Sequence, residues 1–307
     1  NGLLFEHRNT EALREQLRFA IENPELLKQY GERGYLYSET GNVPNIQHHC
    51  TELEKIFQQV MAPHNLWRIT LDTNPEDCNL KCVMCEEHSP YSDFIPTLYR
   101  ETGIKRRRMK LKTVEKIFLQ AKQLGVKEII PSTMGEPLMY QGIERIFALS
   151  QEHSIKINLT TNGTFPKLTV KEWAKLIIPN TTDVKISLNG ATRETAESVM
   201  QGLDFDQALE NVKALVSERN TYFEKTGYYC RISFQLTFMQ NNMQELADII
   251  QMAAELGIDR VKGHQLWAHF EEIKTLSMRA SKQSIGNWNE YVKQAYVAQE
   301  TYRKPNG

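Results

Sequence analysis

The feature that most constrains the fold is a regular alternation of short β-rich runs and longer helical runs, which starts at Trp67. The predicted strands are 67–72, 127–132, 155–161, 183–188, 230–238 and 259–264, and the predicted helices are about 112–124, 141–152, 169–177, 205–220, 242–256 and 284–299. Six β/α units in succession imply parallel strands joined by crossover helices. The pattern therefore suits an α/β fold, as either a partial barrel or an open doubly wound sheet.

Residues 1–62 have a different, all-helical pattern. Asn9 or Thr10 can cap a first helix, and Pro24 interrupts the helical periodicity. We therefore predict a helical N-terminal segment over 1–62 and a separate main domain over 63–307.

Composition and charge narrow the classes of protein. Lys and Arg together number 37 and Asp and Glu 38, which gives a formal net charge of −1 and no indication of a nucleic-acid partner or an anionic membrane partner. No apolar run approaches the roughly 18–20 residues of a membrane span, and no signal peptide is recognisable. We expect a cytoplasmic location, and because the chain begins at Asn1 we expect it to be part of a longer protein.

Three cysteines crowd into one polar loop directly after the first predicted strand. The run DCNLKCVMC places Cys78, Cys82 and Cys85 in a C-x3-C-x2-C pattern. Three thiolates on one loop can each bind one iron of a cubane cluster, which leaves the fourth iron open. The alternative is a structural zinc site with His88 as the fourth ligand.

The same spacing is the signature of the radical S-adenosylmethionine (radical SAM) superfamily, which the chain resembles over nearly all of 67–270. Met84 stands where that family usually has an aromatic or apolar residue against the adenine. The run MGEP at 134–137 is similar to the family's Gly-Gly-Glu-Pro motif, although Met134 replaces the first glycine.

Two later runs extend the resemblance. Thr-Asn-Gly at 161–163 is common in the family, and ISLNGAT at 186–192 is similar to the subgroup with C-terminal SPASM or twitch extensions. This chain departs from that subgroup at Asn189, which replaces an Asp, and at Gln201, which replaces an Arg.

The resemblance implies a partial (β/α)6 TIM-like barrel that uses a 4Fe–4S cluster and S-adenosylmethionine to generate a 5′-deoxyadenosyl radical. It implies Cys78, Cys82 and Cys85 as cluster ligands, and Met84, Gly135, Glu136, Pro137, Asn162, Ser187 and Asn189 as the residues that bind S-adenosylmethionine. Glu136 would accept hydrogen bonds from the ammonium group of the cofactor. The resemblance also implies an electron donor such as flavodoxin or ferredoxin, while the substrate, peptide or sugar-linked, is not identified.

A second resemblance concerns residues 1–62. The runs NGLLF at 1–5, TEAL at 10–13 and NPEL at 23–26 are similar to the C-terminal tail of a GT-B glycosyltransferase of the GT4 type. This resemblance implies a sugar transferase fused to the radical enzyme. If the main domain is not a radical enzyme, the alternative is a zinc-stabilised binding or scaffold domain attached to a glycosyltransferase. The alternative for residues 1–62 is a helical linker or cap without a glycosyltransferase origin.

Two further groups of residues have open roles. The basic run at 106–108 is either a solvated surface or a clamp for an anionic ligand. His264, Trp267 and His269 follow the sixth strand, on the side of a barrel where active sites lie, and either pack there or contact the substrate.

We predict that the main domain works without the N-terminal segment, because every proposed ligand lies beyond residue 62 and a domain carries its own core. A chain that starts near Pro63 is expected to remain soluble, take up iron and release 5′-deoxyadenosine from S-adenosylmethionine after reduction with dithionite. An insoluble or iron-free product, with the full chain active in parallel, would contradict the boundary.

Overall fold

The computed structural model describes residues 9–33, 51, 55 and 66–303, and the chain divides into two units, Asn1–Asn65 and Leu66–Gly307. In the first unit, α1 (Thr10–Glu22) is capped by Asn9, whose side chain accepts a hydrogen bond from the backbone N–H of Ala12 at 3.0 Å. Helix α2 (Pro24–Arg33) follows. The predicted cap and the break at Pro24 are confirmed, while most of 34–62 lies outside the described residues. The domain boundary at residue 63 stays a prediction.

The second unit is built on a sheet of six parallel strands. They are β1 (Arg68–Thr70), β3 (Glu128–Ile130), β4 (Lys156–Thr161), β5 (Thr181–Ser187), β7 (Arg231–Phe238) and β8 (Arg260–Gln265), and they are hydrogen-bonded in that order. Each pair is parallel. The predicted α/β class and all six predicted strands are confirmed, and the arrangement is that of a partial TIM-like barrel.

Among the described residues, the helices of this unit include the six that the sequence predicted and three that it did not, over 94–102, 193–199 and 271–274. They are α3 (Phe94–Thr102), α4 (Leu111–Gln123), α5 (Ile143–His153), α6 (Val170–Ile177), α7 (Arg193–Val199), α8 (Phe205–Thr226), α9 (Leu246–Leu256), α10 (Glu271–Lys274) and α11 (Lys282–Tyr302). Helix α8 runs past its predicted end at 220 and stops at Gly227, whose φ of 72° suits a glycine.

The two faces of the sheet have opposite character, because successive side chains of a strand point to opposite sides. One face carries fully buried apolar residues such as Ile129, Leu159 and Phe234, which belong to one core with Phe118 and Trp173 of the helices. The other face, called the inner face below, is polar and includes Asn158, Asp183, Lys185, Ser187, Ser233, Gln235 and Thr237. A ligand site on this sheet therefore has polar groups available along its inner face.

Strand β2 (Lys81–Cys82) pairs antiparallel with β6 (Met200–Gln201) in a small second sheet. A further hydrogen bond runs from the backbone N–H of Val83 to the carbonyl of Val199 at 2.9 Å. This ladder fastens the cysteine loop to the segment that follows α7. The sequence did not predict it, because two-residue strands carry no periodicity.

Candidate active site

The three predicted cluster ligands lie together on the loop after β1. Cys78, Cys82 and Cys85 are partly buried free thiols. Burial raises the pKa of all three, that of Cys78 to about 11, and the neighbouring cysteines raise the pKa values of Cys78 and Cys82 further. The loop therefore gathers three neighbouring thiols in a poorly solvated environment, where a bound metal would replace their protons.

The fourth ligand of the alternative zinc site, His88, has another partner. Within the described residues no three His, Cys, Asp or Glu side chains converge to hold one metal ion. The Nε2 atom of His88 instead lies 2.7 Å from the carbonyl oxygen of Pro75. A mononuclear zinc site needs its ligands to meet at about 2.0–2.3 Å around one ion, whereas a cubane cluster distributes three thiolates over three irons.

The Gly-Glu-Pro turn packs directly against the cysteine loop. Gly135 has a φ of +74°, and a Cβ atom there would lie 2.5 Å from the carbonyl oxygen of Asn74 and 2.8 Å from that of Asp77. The backbone N–H of Glu136 donates to the carbonyl of Asp77 at 2.7 Å, and the Asn74 side chain donates to the carbonyl of Glu136 at 3.0 Å. Only glycine allows so close an approach, and the turn thereby fixes the start of the loop. Pro137 begins the buried 3-10 turn Pro137–Met139.

The carboxylate of Glu136 is directed into the protein. It is 1% exposed and accepts hydrogen bonds from Thr161 Oγ1 at 2.9 Å, from the backbone N–H of Asn162 at 2.8 Å and from that of Leu138 at 3.1 Å. Burial raises its pKa to about 7, although these three donors oppose the shift. The contact between Glu136 and the ammonium group of S-adenosylmethionine stays a prediction. The three hydrogen bonds that the carboxylate already accepts do not favour this contact.

Asn162 faces the cysteine loop. Its side-chain N–H group donates to Asn79 Oδ1 at 2.9 Å and lies 3.9 Å from Cys78 Sγ, while its Oδ1 accepts from the hydroxyl of Thr164 at 2.7 Å. The end of β4 is thus connected to the first cysteine.

A cavity of about 360 Å³ opens beside the cysteine loop, at the carboxyl ends of the strands. Its lining combines residues from the loop and from β5, β7 and β8: Cys82, Met84, Cys85, Glu86, Thr133, Met134, Ser187, Asn189, Gln235, Leu236, Thr237, His264, Leu266, Trp267 and His269. The predicted residues Met84, Ser187 and Asn189 line this cavity. Gly135, Glu136 and Asn162 contact the loop behind it, and Pro137 begins the turn that follows Glu136. His264, Trp267 and His269 lie at the cavity, and Trp267 is 78% exposed.

The model of the radical SAM superfamily matches residues 75–253. The chain belongs to the radical SAM superfamily. Curated relatives include the mycofactocin maturase MftC of Mycolicibacterium smegmatis, 27% identical over 180 residues that make up 59% of this chain and 40% of MftC. The mouse (Mus musculus) tRNA 4-demethylwyosine synthase TYW1 is 26% identical over 191 residues, 57% of this chain and 25% of TYW1.

Solved structures confirm the fold. SuiB of Streptococcus suis bound to S-adenosylmethionine has a TM-score of 0.54 and 19% identity, and the alignment covers 92% of this chain and 60% of that chain. SuiB has also been solved with its precursor peptide SuiA, with a TM-score of 0.55 and 17% identity over 94% of this chain and 60% of that chain. The chain spans between a quarter and two fifths of the length of these curated relatives.

Members of the superfamily use a 4Fe–4S cluster and S-adenosylmethionine. The residues present fit the cluster: three thiols share one loop, two of them line the cavity, and the backbone N–H of His88 donates to Cys85 Sγ at 3.4 Å. Hydrogen bonds to sulfur ligands are a usual part of such sites.

The comparisons do not support the glycosyltransferase resemblance or the zinc-stabilised alternative, and the run at 1–5 lies outside the described residues. The SPASM or twitch subgroup is likewise not established by them. Among the described residues, the helices are too short or too polar to span a membrane.

The basic run at 106–108 has contacts that the sequence did not predict. Arg107 donates to Glu76 Oε1 at 2.5 Å and lies 3.3 Å from Glu87 Oε1, while Arg108 makes a two-point contact with Asp77 at 2.7 and 3.1 Å. These acids flank the cysteines and are buried, so the run ties both ends of the loop to the segment before α4. We call residues 106–108 the arginine strap.

Arg107→Ala is expected to destabilise the cysteine loop, because it leaves the fully buried carboxylate of Glu76 without its charged partner. Arg107 is itself 43% exposed, and solvent therefore screens the pair. We expect the free energy of unfolding to fall by about 2 kcal/mol, which is less than for a fully buried ion pair. Iron should leave the reconstituted variant faster than wild type in the presence of a chelator. Arg100→Ala, an exposed arginine on α3, is the matched control, and equal iron loss from both variants would contradict the strap.

Glu136→Ala is expected to destabilise the protein even without cluster or cofactor, because three buried donors lose their acceptor at about 1 kcal/mol or more each. Chemical denaturation of the iron-free protein measures this, with the exposed Glu144→Ala as the control. Unchanged stability combined with weaker binding of S-adenosylmethionine would instead assign Glu136 to the cofactor.

Proposed function

We propose that Cys78, Cys82 and Cys85 hold the 4Fe–4S cluster and that S-adenosylmethionine occupies the adjoining cavity. The observation that carries this proposal is the position of the cavity, which has two of the three thiols on one side and the polar ends of β5, β7 and β8 on the other. A cofactor there would contact the metal site and the inner face of the sheet together.

The residues of the cavity would orient the cofactor. Met84 supplies an apolar surface for the adenine, and Ser187 supplies a hydroxyl for the carboxylate. The Oδ1 atom of Asn189 accepts a hydrogen bond from the backbone N–H of Thr237 at 2.7 Å, which fixes the amide and turns its N–H donors away from that strand. Gly135, Glu136, Pro137 and Asn162 would act indirectly, by holding the cysteine loop in place.

When bound, the cluster and S-adenosylmethionine supply one electron and a carbon-centred radical that abstracts a hydrogen atom from the substrate. An electron donor such as flavodoxin or ferredoxin would serve the cluster. The remaining lining of the cavity, including His264, Trp267 and His269, would position the substrate and exclude water from the radical.

For the substrate we propose a peptide. Support comes from SuiB, which has the same fold and has been solved with a precursor peptide, and from the resemblance of 186–192 to the SPASM and twitch subgroup. This fold likeness extends over 94% of the chain, which makes a peptide the better-supported candidate than a sugar-linked molecule.

The cluster assignment is tested by anaerobic reconstitution of wild type and a triple Cys78→Ala, Cys82→Ala, Cys85→Ala variant. Wild type is expected to bind about four irons per chain and to release 5′-deoxyadenosine on reduction, and the triple variant to do neither. Cys230→Ala is the matched control, since Cys230 is fully buried in the core and away from the loop. Stoichiometric zinc without iron in wild type would refute the assignment.

A further inference from the structure

A carboxylate from the turn after β7 holds the loop that follows β5. Glu245 Oε2 accepts hydrogen bonds from the backbone N–H of Ala191 at 2.7 Å and from that of Thr192 at 3.2 Å. Its Oε1 accepts from the hydroxyl of Thr192 at 2.8 Å and from that of Thr195 at 2.5 Å. Both carboxylate oxygens are therefore used on one short segment, which runs from the loop into the first turn of α7.

This role of Glu245 is not ordinary helix capping. Glu245 is the N-cap residue of α9, yet its side chain makes no capping hydrogen bond there. Although burial would raise the pKa of Glu245, the hydrogen bonds from Thr195, Thr192 and the backbone lower it. The carboxylate is therefore charged while it holds the segment, and hydrogen bonds to a charged acceptor are about twice as strong as neutral ones.

A second residue of the same turn contacts the same loop. Asn242 is 1% exposed, and its Oδ1 accepts from the backbone N–H of Met239 at 2.9 Å. Its Nδ2 donates to the carbonyl oxygen of Asn189 at 3.1 Å and to that of Thr237 at 2.9 Å. The turn after β7 thus holds the loop after β5 at two points, and we call Asn242 and Glu245 the clasp.

The loop that the clasp holds carries a residue of the cavity. Asn189 lines the cavity, and its Oδ1 accepts from the backbone N–H of Thr237 at 2.7 Å. Within the part of the chain that the structure describes, Asn189 makes no other side-chain hydrogen bond, so the N–H donors of its Nδ2 are available to a ligand. Hydrogen bonds are directional, and the usefulness of these donors depends on how the loop is held.

The loop is also packed tightly against α7. A Cβ atom at Gly190 would lie 2.6 Å from the backbone nitrogen of Ala196 and 2.8 Å from Cγ2 of Thr195. Thr195 is one of the residues that Glu245 holds. Because closely packed atoms leave no space to absorb a displacement, a shift of the first turn of α7 would move Gly190 and the adjacent Asn189.

We propose that Glu245 is a positioning residue of the cofactor site, which fixes the direction of the Asn189 side-chain N–H group toward the cavity. The inference rests on the proposed function, because it assumes that S-adenosylmethionine occupies the cavity beside Asn189. Glu245 lies outside the cavity lining and acts through Asn189. A donor that is already held in place binds a ligand oxygen without the cost of ordering the loop.

The test measures the binding of S-adenosylmethionine by calorimetry on the full, anaerobically reconstituted chain. Glu245→Ala is expected to bind about fivefold more weakly than wild type, since the direction of one hydrogen bond is lost, and to keep the wild-type iron content. The matched control is Glu172→Ala. Glu172 accepts from the backbone N–H of Thr169 at 2.9 Å and from its hydroxyl at 2.7 Å at the start of α6, outside the cavity lining.

The control separates positioning from a general loss of stability. Both alanine variants are expected to melt below wild type, because each leaves donors without their acceptor, but Glu172→Ala should bind S-adenosylmethionine as wild type does. In the release of 5′-deoxyadenosine, Glu245→Ala should raise KM for S-adenosylmethionine and keep kcat close to that of wild type. An equal loss of affinity in both variants, or a lower kcat with unchanged KM, would overturn the proposal.

A double-mutant cycle tests the route through Asn189. Asn189→Ala should also weaken the binding of S-adenosylmethionine. The double variant Asn189→Ala, Glu245→Ala should bind no more weakly than Asn189→Ala alone, because the donor that Glu245 positions is already absent. Additive losses would show that Glu245 acts independently of Asn189 and would overturn the proposal.

The same variants separate this inference from the proposed function. If Asn189→Ala binds weakly and Glu245→Ala binds as wild type does, the proposed cofactor site stands and the positioning role alone is overturned. If Asn189→Ala binds as tightly as wild type, S-adenosylmethionine does not contact Asn189. That result would refute the proposed place of the cofactor and would overturn this inference with it.

Discussion

The buried carboxylate of Glu136 is the interaction on which the rest of the site depends. Through three accepted hydrogen bonds it joins the turn after β3 to the end of β4, and the backbone of the same residue holds the cysteine loop after β1. The carboxyl ends of three consecutive parallel strands are thereby fixed relative to one another. The cysteine loop needs this support, because a loop alone carries few buried contacts.

A second support comes from the other side of the loop. The arginine strap pairs with Glu76, Asp77 and Glu87, which are buried acids next to the cysteines. Negative charge near a thiol disfavours its ionisation, and Glu87 raises the pKa of Cys85 in this way after the larger effect of burial. The strap therefore has an electrostatic consequence for the loop in addition to holding it.

The sequence predicted the parts of this structure that depend on local pattern. Apolar alternation located all six strands of the sheet. The spacing of Cys78, Cys82 and Cys85 predicted that three thiols share one loop, because residues on one loop are close in sequence. The same reasoning placed Trp267 at the cavity, since residues after a barrel strand lie at its carboxyl end.

What the sequence did not predict depends on contacts between distant residues. Arg108 and Asp77 are separated by 31 positions, and a run of arginines has the same pattern whether it faces solvent or a buried acid. The sequence likewise could not predict the direction of the Glu136 carboxylate, because the side chain of a turn residue can point to a ligand or into the core.

The order of the strands has one more consequence. In the part of the chain that the structure describes, strands β1 and β8 are the two ends of the six-stranded sheet and do not pair with each other. A closed barrel admits molecules only through the mouth formed by its loops, whereas a sheet with two free margins also has an opening along its side. Along such an opening a long flexible chain can lie across the sheet with only one segment at the inner face, which a closed barrel does not allow.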